Sequence, residues 1–180
     1  MADEDAQAFR AGQSGLIVRV PEAEPLVGPW RDTLDPSSRA GVPAHVTVLF
    51  PFLDASRVDE QVRRAIGEVV GGQQPFEARF EQCGRFPGVL YLAPDPDTGF
   101  RRLTEAIVER WPENPPFGGQ FDDAVPHLTV AQGQTEAVMR KAEADLLAGL
   151  PVVAQVSAVE LLVHDGTRWR KRATFPLGRT

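Results

Sequence analysis

Branched apolar residues come in short runs along this chain, and proline or glycine ends most of them. Gly15-Leu-Ile-Val-Arg-Val20 stops at Pro21 and predicts a strand. Between Glu22 and Leu34 the apolar residues Leu26, Val27, Trp30 and Leu34 fall at helical spacing, although Pro25 and Pro29 crowd the segment. Residues 35–43 have loop chemistry, and His45-Val-Thr-Val-Leu-Phe50 is a second strand, stopped by Pro51. A helix is expected over residues 55–70, with Val58, Val62, Ala65, Ile66, Val69 and Val70 on its apolar face and Gly71-Gly72 at its end. Strands at 76–83 and 88–93 follow, then a helix at 99–111 and a Pro/Gly-rich loop over 112–126. A short strand at 127–131, a helix at 136–147 and strands at 152–163 and 168–175 complete the chain, with Asp165-Gly166 as a hairpin turn.

Helices alternate with strands while short hairpins recur, so the fold class is α+β with mainly antiparallel sheet. The first 13 residues show no apolar period and are expected to form a flexible arm. Residues 14–180 then make one domain, of a size that buries a core without staples.

Two segments repeat each other. Pro43-Ala-His45-Val-Thr47-Val48 is matched by Pro126-His127-Leu-Thr129-Val130. Each follows a Gly/Pro-containing loop, opens a predicted strand and precedes a helix, and the separation, 127 − 45 = 82, is close to half the chain. Nine threonines in 180 residues put one two places after a given histidine only about one time in twenty. The chain has three histidines, and His164 lacks such a partner. The repeat therefore predicts two related halves that face each other.

Positions i and i+2 of a strand share a face. His45 and Thr47 must point the same way, as must His127 and Thr129, while Val46, Val48 and Phe50, or Leu128 and Val130, anchor the opposite face. Two imidazoles and two hydroxyls converging on a cleft suit phosphodiester chemistry. An imidazole titrates near neutrality, so one can take a proton from the attacking oxygen while the other gives one to the leaving oxygen. Threonine hydroxyls can donate to the non-bridging phosphoryl oxygens. Such a site calls for no metal and no cofactor. A metal site of His45, His127 and Asp122 or Asp123 is the weaker reading, because threonine is a poor ligand and no dense ligand cluster accompanies the histidines.

The paired motifs His45-Val-Thr47-Val48 and His127-Leu-Thr129-Val130 resemble those of the 2H phosphoesterase superfamily. The context Ala44-His45-Val-Thr-Val-Leu-Phe-Pro-Phe52 is similar to its 2′-5′ RNA ligase-like branch, and the likeness runs over about residues 14–177. It implies a bilobal fold, two pseudo-symmetric lobes of sheet and outer helix around a central cleft. It also implies metal-independent action on 2′,3′-cyclic or 2′-5′ phosphodiesters of RNA ends or small nucleotides, with ligation as the reverse direction. His45 and His127 would be the acid–base pair, and Thr47 and Thr129 would hold phosphate. A nucleotide- or RNA-end-binding module with little turnover is the alternative.

Three further residues are candidates for substrate contact. Phe52 follows the first motif, although a core role suits it better. Trp169 on the last hairpin can wall the cleft as an aromatic platform. Arg168 shares a predicted face with Arg170 and Arg172, which makes a basic rim or a solvated surface; Arg85 is open in the same way.

Composition sets the remaining bounds. The net charge of −6 disfavours a protein that coats long nucleic acid, since such binding draws on many Lys and Arg contacts to phosphates. A small nucleotide or a short RNA end fits better. Cys83 is the one cysteine, so no intrachain disulfide forms. No apolar run nears the roughly 20 residues of a membrane span, and the acidic N-terminus does not read as a secretory signal. A cytoplasmic monomer without membrane contact is expected.

Overall fold

The computed structural model describes residues 9–119 and 123–178. Eight strands form two antiparallel four-stranded sheets. Strands β1 (Ser14–Arg19), β2 (His45–Leu49), β7 (Ala158–His164) and β8 (Trp169–Pro176) make the first, in the order β2-β1-β7-β8. Strands β3 (Phe76–Phe86), β4 (Val89–Pro94), β5 (Leu128–Gln132) and β6 (Val152–Val156) make the second, in the order β5-β4-β3-β6. Helices α1 (Glu24–Leu34), α2 (Pro36–Arg39), α3 (Glu60–Gly71), α4 (Thr98–Arg110) and α5 (Glu136–Gly149) connect them. The α+β class and its antiparallel sheets follow the pattern of the sequence.

The halves are built alike. The series β1-α1-β2-α3 is repeated by β4-α4-β5-α5, and in each the two strands pair antiparallel. The motif strands β2 and β5 are the edges of their sheets, and they touch each other. Helix α1 packs on β5 and helix α4 on β2, so each half covers the motif strand of the other. Thr104 of α4 fixes one such contact, its hydroxyl donating to the Val48 carbonyl at 2.8 Å.

The likeness extends to irregularities. In β2 Thr47 faces Ile17 and Leu49 faces Leu16, so Val48 has no opposite residue. In β5 Thr129 faces Tyr91 and Ala131 faces Leu90, so Val130 is skipped in the same way. A bulge of this kind bends the strand and increases its twist. Both motif strands thus carry it one residue beyond the threonine. Val46, Val48, Leu128 and Val130 are all buried in a core that both sheets share with Ile66, Phe80, Phe100 and Leu146.

Three elements differ from the pattern read along the chain. The helix expected from residue 55 begins at Glu60, because two aspartates cap two separate starts. Asp54 accepts from the Ser56 N–H and closes a single 3₁₀ turn, and Asp59 accepts from Val62 N–H to start α3. The loop after Leu34 contains the one-turn helix α2, whose cap Asp35 accepts from Ser37 N–H. The strand expected over 152–163 is two strands in different sheets. Burial falls on Val152, Ala154 and Val156, then on Val159 and Leu161, so the buried parity changes at Ser157 as the chain crosses between sheets; from Leu161 to His164 β7 is buried on both faces.

Candidate active site

His45 opens β2, and His127 stands immediately before β5. Each imidazole is fixed by the same local bond. His45 Nδ1 lies 2.8 Å from the Pro43 carbonyl, and His127 Nδ1 lies 2.7 Å from the Val125 carbonyl. A carbonyl only accepts, so Nδ1 carries the proton in both rings and Nε2 bears the lone pair of the neutral form. Neither Nε2 has a hydrogen-bond partner among the described residues, and neither does the hydroxyl of Thr47 or Thr129. All four side chains line one cleft of about 170 Å³. The pleat that buries Val46 and Leu128 sends the alternate residues to this space.

Burial lowers the pKa of both histidines below the ordinary value. For His45, desolvation is the largest cause, followed by the nearby Arg31 guanidinium; the Pro43 carbonyl and Asp35 oppose them, the charge of His127 adds to them, and the result is about 4. For His127, desolvation lowers and the Val125 carbonyl raises. His127 is desolvated by aromatic rings. Phe86 and Tyr91 meet it edge-on at 5.1 and 5.5 Å between centroids, and Phe117 stacks at 6.3 Å.

Behind His45 lies a buried polar network. Asp35 receives Arg31 Nε at 3.0 Å and both the N–H and hydroxyl of Ser37 at 3.0 and 2.9 Å. Arg31 also donates to Ser37 Oγ and to the Val42 carbonyl, both at 3.1 Å. The network ties α1 to the segment that leads through Pro43 into His45, and Asp35 and Ser37 reach the cleft.

The substrate-contact candidates separate. Phe52 is buried in the core, edge-on to Trp111 at 5.2 Å, and does not line the cleft. It sits beyond the end of β2, where the chain turns inward and its N–H donates to the Ser14 carbonyl. Phe50, expected to anchor the core, instead lines the cleft, because the bulge at Val48 shifts the alternation. Trp169 lines the cleft but is only 6% exposed, so it is no open stacking platform. Arg168 lies over Gly41 and borders a neighbouring polar depression with Arg19 and Lys171, not the cleft. Its expected row with Arg170 and Arg172 is broken. Arg168 precedes β8, Arg170 pairs with Asp165 at 2.9 Å, and Arg172 is the unopposed residue of a bulge. Arg85 pairs with Glu136 and Glu143 of α5.

The arm expected over residues 1–13 lies partly outside the described residues, up to residue 8. Its remaining part is held: Phe9 packs on Phe50 and Trp169, and Gly12 N–H donates to the His164 carbonyl. Phe9, Phe117, Asp35, Ser37 and Gln132 are cleft residues that the sequence pattern did not single out. Of the carboxylates considered as metal ligands, Asp122 lies outside the described residues, and Asp123 pairs with Arg101 at 2.7 Å. Among the described residues no group of three His, Cys, Asp or Glu could hold a metal ion, and no helix is long and apolar enough to cross a membrane.

Two antiparallel sheets thus present one His-x-Thr strand each to a single cleft, the arrangement expected of the two-histidine phosphoesterase superfamily. The family model of the 2′-5′ RNA ligase superfamily matches residues 19–168. The chain belongs to that superfamily. Among solved structures it is similar to E. coli LigT complexed with 3′-AMP, at 17% identity over 94% of this chain and 100% of that one, with a TM-score of 0.62. The protein TT0787 of Thermus thermophilus is similar at 21% identity over 93% and 98%, also with a TM-score of 0.62. A structure described as a phosphoesterase aligns at 17% identity over 94% and 100%, with a TM-score of 0.59. These likenesses show the fold. A search of curated proteins returned no match.

Proposed function

We propose that this protein is a metal-independent phosphodiesterase that opens 2′,3′-cyclic or 2′-5′ phosphodiesters of RNA ends or small nucleotides. One observation carries the reading. Two imidazoles with identical Nδ1 anchors share a cleft with two threonine hydroxyls, and neither the Nε2 atoms nor the hydroxyls have a partner among the described residues. The superfamily and the 3′-AMP complex of LigT support it.

The neutral imidazole takes a proton from water at Nε2 as the water oxygen attacks phosphorus. The bond from phosphorus to the leaving ribose oxygen breaks, and the protonated imidazole returns a proton to that oxygen from its own Nε2. Thr47 and Thr129 donate to the non-bridging oxygens, where negative charge accumulates. The Nδ1 anchors keep both rings in the required tautomer throughout. Protons balance over the cycle, so with a ribose hydroxyl in place of water the same pair joins that hydroxyl to a cyclic phosphate. The reverse of that joining step, which splits the 2′-5′ linkage back to a cyclic phosphate, exchanges the roles of His45 and His127.

With a net charge of −6 the chain suits a small nucleotide or RNA end and acts as a monomer, without coating long nucleic acid or touching a membrane. The test is a panel of 2′,3′-cyclic and 2′-5′-linked substrates assayed with and without EDTA. Turnover of at least one, unchanged by the chelator, is expected. Saturable binding without product would favour a binding module, and a chelator-sensitive rate restored by one metal would contradict the acid–base scheme.

A further inference from the structure

The face of the first sheet that carries His45 and Thr47 also carries a group of charges. In the β1–β2 ladder Arg19 stands opposite His45, and Ile17 opposite Thr47. Ile17 in turn stands opposite Glu160 of β7, and Leu162, two residues on, stands opposite Lys171 of β8. Opposed residues share a face, as do residues two apart on one strand. His45, Arg19, Glu160 and Lys171 therefore project from the same side of the sheet.

Arg19, Glu160 and Lys171 border a depression of about 430 Å³ that abuts the cleft, with Val42 and Leu162 lining both spaces. Pro43, whose carbonyl anchors His45 Nδ1, belongs to its wall. Arg168 completes the wall, and the backbone fixes its place. Gly41 has a φ of 97°, and a Cβ there would stand 2.9 Å from Arg168 Nη2, so the bare glycine makes room for the guanidinium. The Arg168 N–H donates to Asp165 Oδ1 at 2.9 Å, and the following N–H, of Trp169, to the Ala40 carbonyl at 2.8 Å.

The lining carries both signs. Arg31 is paired with Asp35, Asp32 accepts from the Ser38 hydroxyl, and Glu24 accepts from the Ala44 N–H. The side chains of Arg19, Arg168, Lys171 and Glu160 make no hydrogen bond or ion pair among the described residues. Cations beside carboxylates do not suit a bare, highly charged anion. They suit a ligand with one negative charge and several neutral donors. A nucleotide unit within an RNA chain has that make-up: its phosphodiester accepts from the cations, and its ribose hydroxyl and base amino groups donate to carboxylates.

We propose that this depression is a subsite for the nucleotide next to the reacting one, with Arg19, Arg168 and Lys171 providing the cations for its phosphodiester. The inference rests on the phosphoesterase reading, in which the reacting phosphate sits among the two histidines and two threonines. It narrows the substrate class to RNA ends of two or more nucleotides in preference to cyclic mononucleotides, and it gives Arg168 a part in substrate binding outside the cleft.

The test is steady-state hydrolysis by the unaltered protein of a nucleoside 2′,3′-cyclic phosphate and of a dinucleotide ending in that same cyclic phosphate. The dinucleotide should have a kcat/KM about 10-fold higher, through KM, the order expected of one hydrogen bond to a charged group. Its KM should also climb more steeply with salt, because an extra phosphate contact releases counterions. Equal kcat/KM values with equal salt dependence would overturn the inference and leave the phosphoesterase reading standing. Hydrolysis of neither substrate would remove both.

Variants locate the effect. Arg19, Arg168 and Lys171 are all exposed, so Arg19→Ala, Arg168→Ala and Lys171→Ala combined should fold and should bring the ratio between the two substrates to near one. Arg168→Glu should lower that ratio further than Arg168→Ala, because the new charge repels the phosphodiester. Arg172→Ala, exposed on the same strand but outside the depression, is the control and should leave the ratio as it is. A ratio that survives the triple substitution, or that Arg172→Ala lowers equally, contradicts the proposal.

Discussion

Arg31 and Asp35 form an ion pair at 3.0 Å across one turn at the end of α1, with side chains 2% and 1% exposed. Their half of the molecule thereby differs from the other, where aromatic rings surround His127. Removing one partner of a buried pair leaves an uncompensated charge. Asp35→Ala should therefore destabilise the fold by about 3–5 kcal/mol in urea unfolding. The double variant Arg31→Met with Asp35→Ala should recover part of that loss, because no lone charge remains. A loss below about 1 kcal/mol in the single variant would contradict the account of this network.

The acid–base scheme requires one protonated and one neutral histidine, whichever plays which role. That state is most populated between the two pKa values. His45 lies at about 4, and His127 lies below its ordinary 6.5. The free-enzyme profile of kcat/KM should thus be a bell with its maximum on the acid side of neutrality. It falls at low pH as both rings become protonated and at high pH as both become neutral. Arg31→Met removes a charge that repels the His45 proton, so the acid limb should move to higher pH. Asp35→Asn removes a charge that attracts it and should move the limb lower. A maximum above about pH 8 would contradict this electrostatic picture.

The same shifts govern stability. Folding depresses both histidine pKa values, so the unfolded chain binds more protons at mildly acid pH. Their contribution is fully present above about pH 6.5 and is lost as pH falls toward 4. The urea midpoint of the native protein should decline over that window more steeply than that of His45→Ala. Equal slopes would show that His45 is not held neutral by its surroundings.

Thr47 and Thr129 offer their hydroxyls to the cleft and spend them on no protein group among the described residues. Thr→Val preserves shape and strand preference while deleting the donor. Each variant should lower kcat about 10²-fold, the usual range for one lost transition-state donor, with unchanged thermal stability. Activity within about twofold of the native level would remove threonine from the phosphate site.

Phe50 and Phe52 are two residues apart and have opposite fates. Phe52→Ala empties a core position against Trp111 and should destabilise by about 3–5 kcal/mol. Phe50→Ala should be milder in stability and raise KM, since Phe50 borders the cleft. Urea unfolding and steady-state kinetics on both variants decide the matter, and the reverse pattern would restore the assignment expected from strand alternation.

That reversal marks where the sequence was legible. The repeated His-x-Thr motif revealed the four central residues, because a two-residue period and a duplicated context are local signals. The antiparallel α+β class followed from strand lengths and turns. The bulge at Val48 was hidden, and with it the face taken by Phe50, because a skipped partner is a property of two strands rather than one. The break at Ser157 was legible in hindsight as a parity change from Val156 to Val159. Phe117 could not be foreseen, since it reaches His127 from a Pro/Gly-rich loop at a positive φ of 52° that few non-glycine residues adopt. Asp35 and Ser37 read as ordinary turn residues, and only the burial of Arg31 gives them a place beside His45.

The central claim, that His45 and His127 act as one acid–base pair, is tested most directly by measuring hydrolysis of a nucleoside 2′,3′-cyclic phosphate by His45→Ala, His127→Ala and the double variant. Each single variant should lower kcat by about 10²–10⁴-fold. The double variant should be little worse than either, because groups that act as a unit are not additive. Native-like turnover in either single variant would contradict the account.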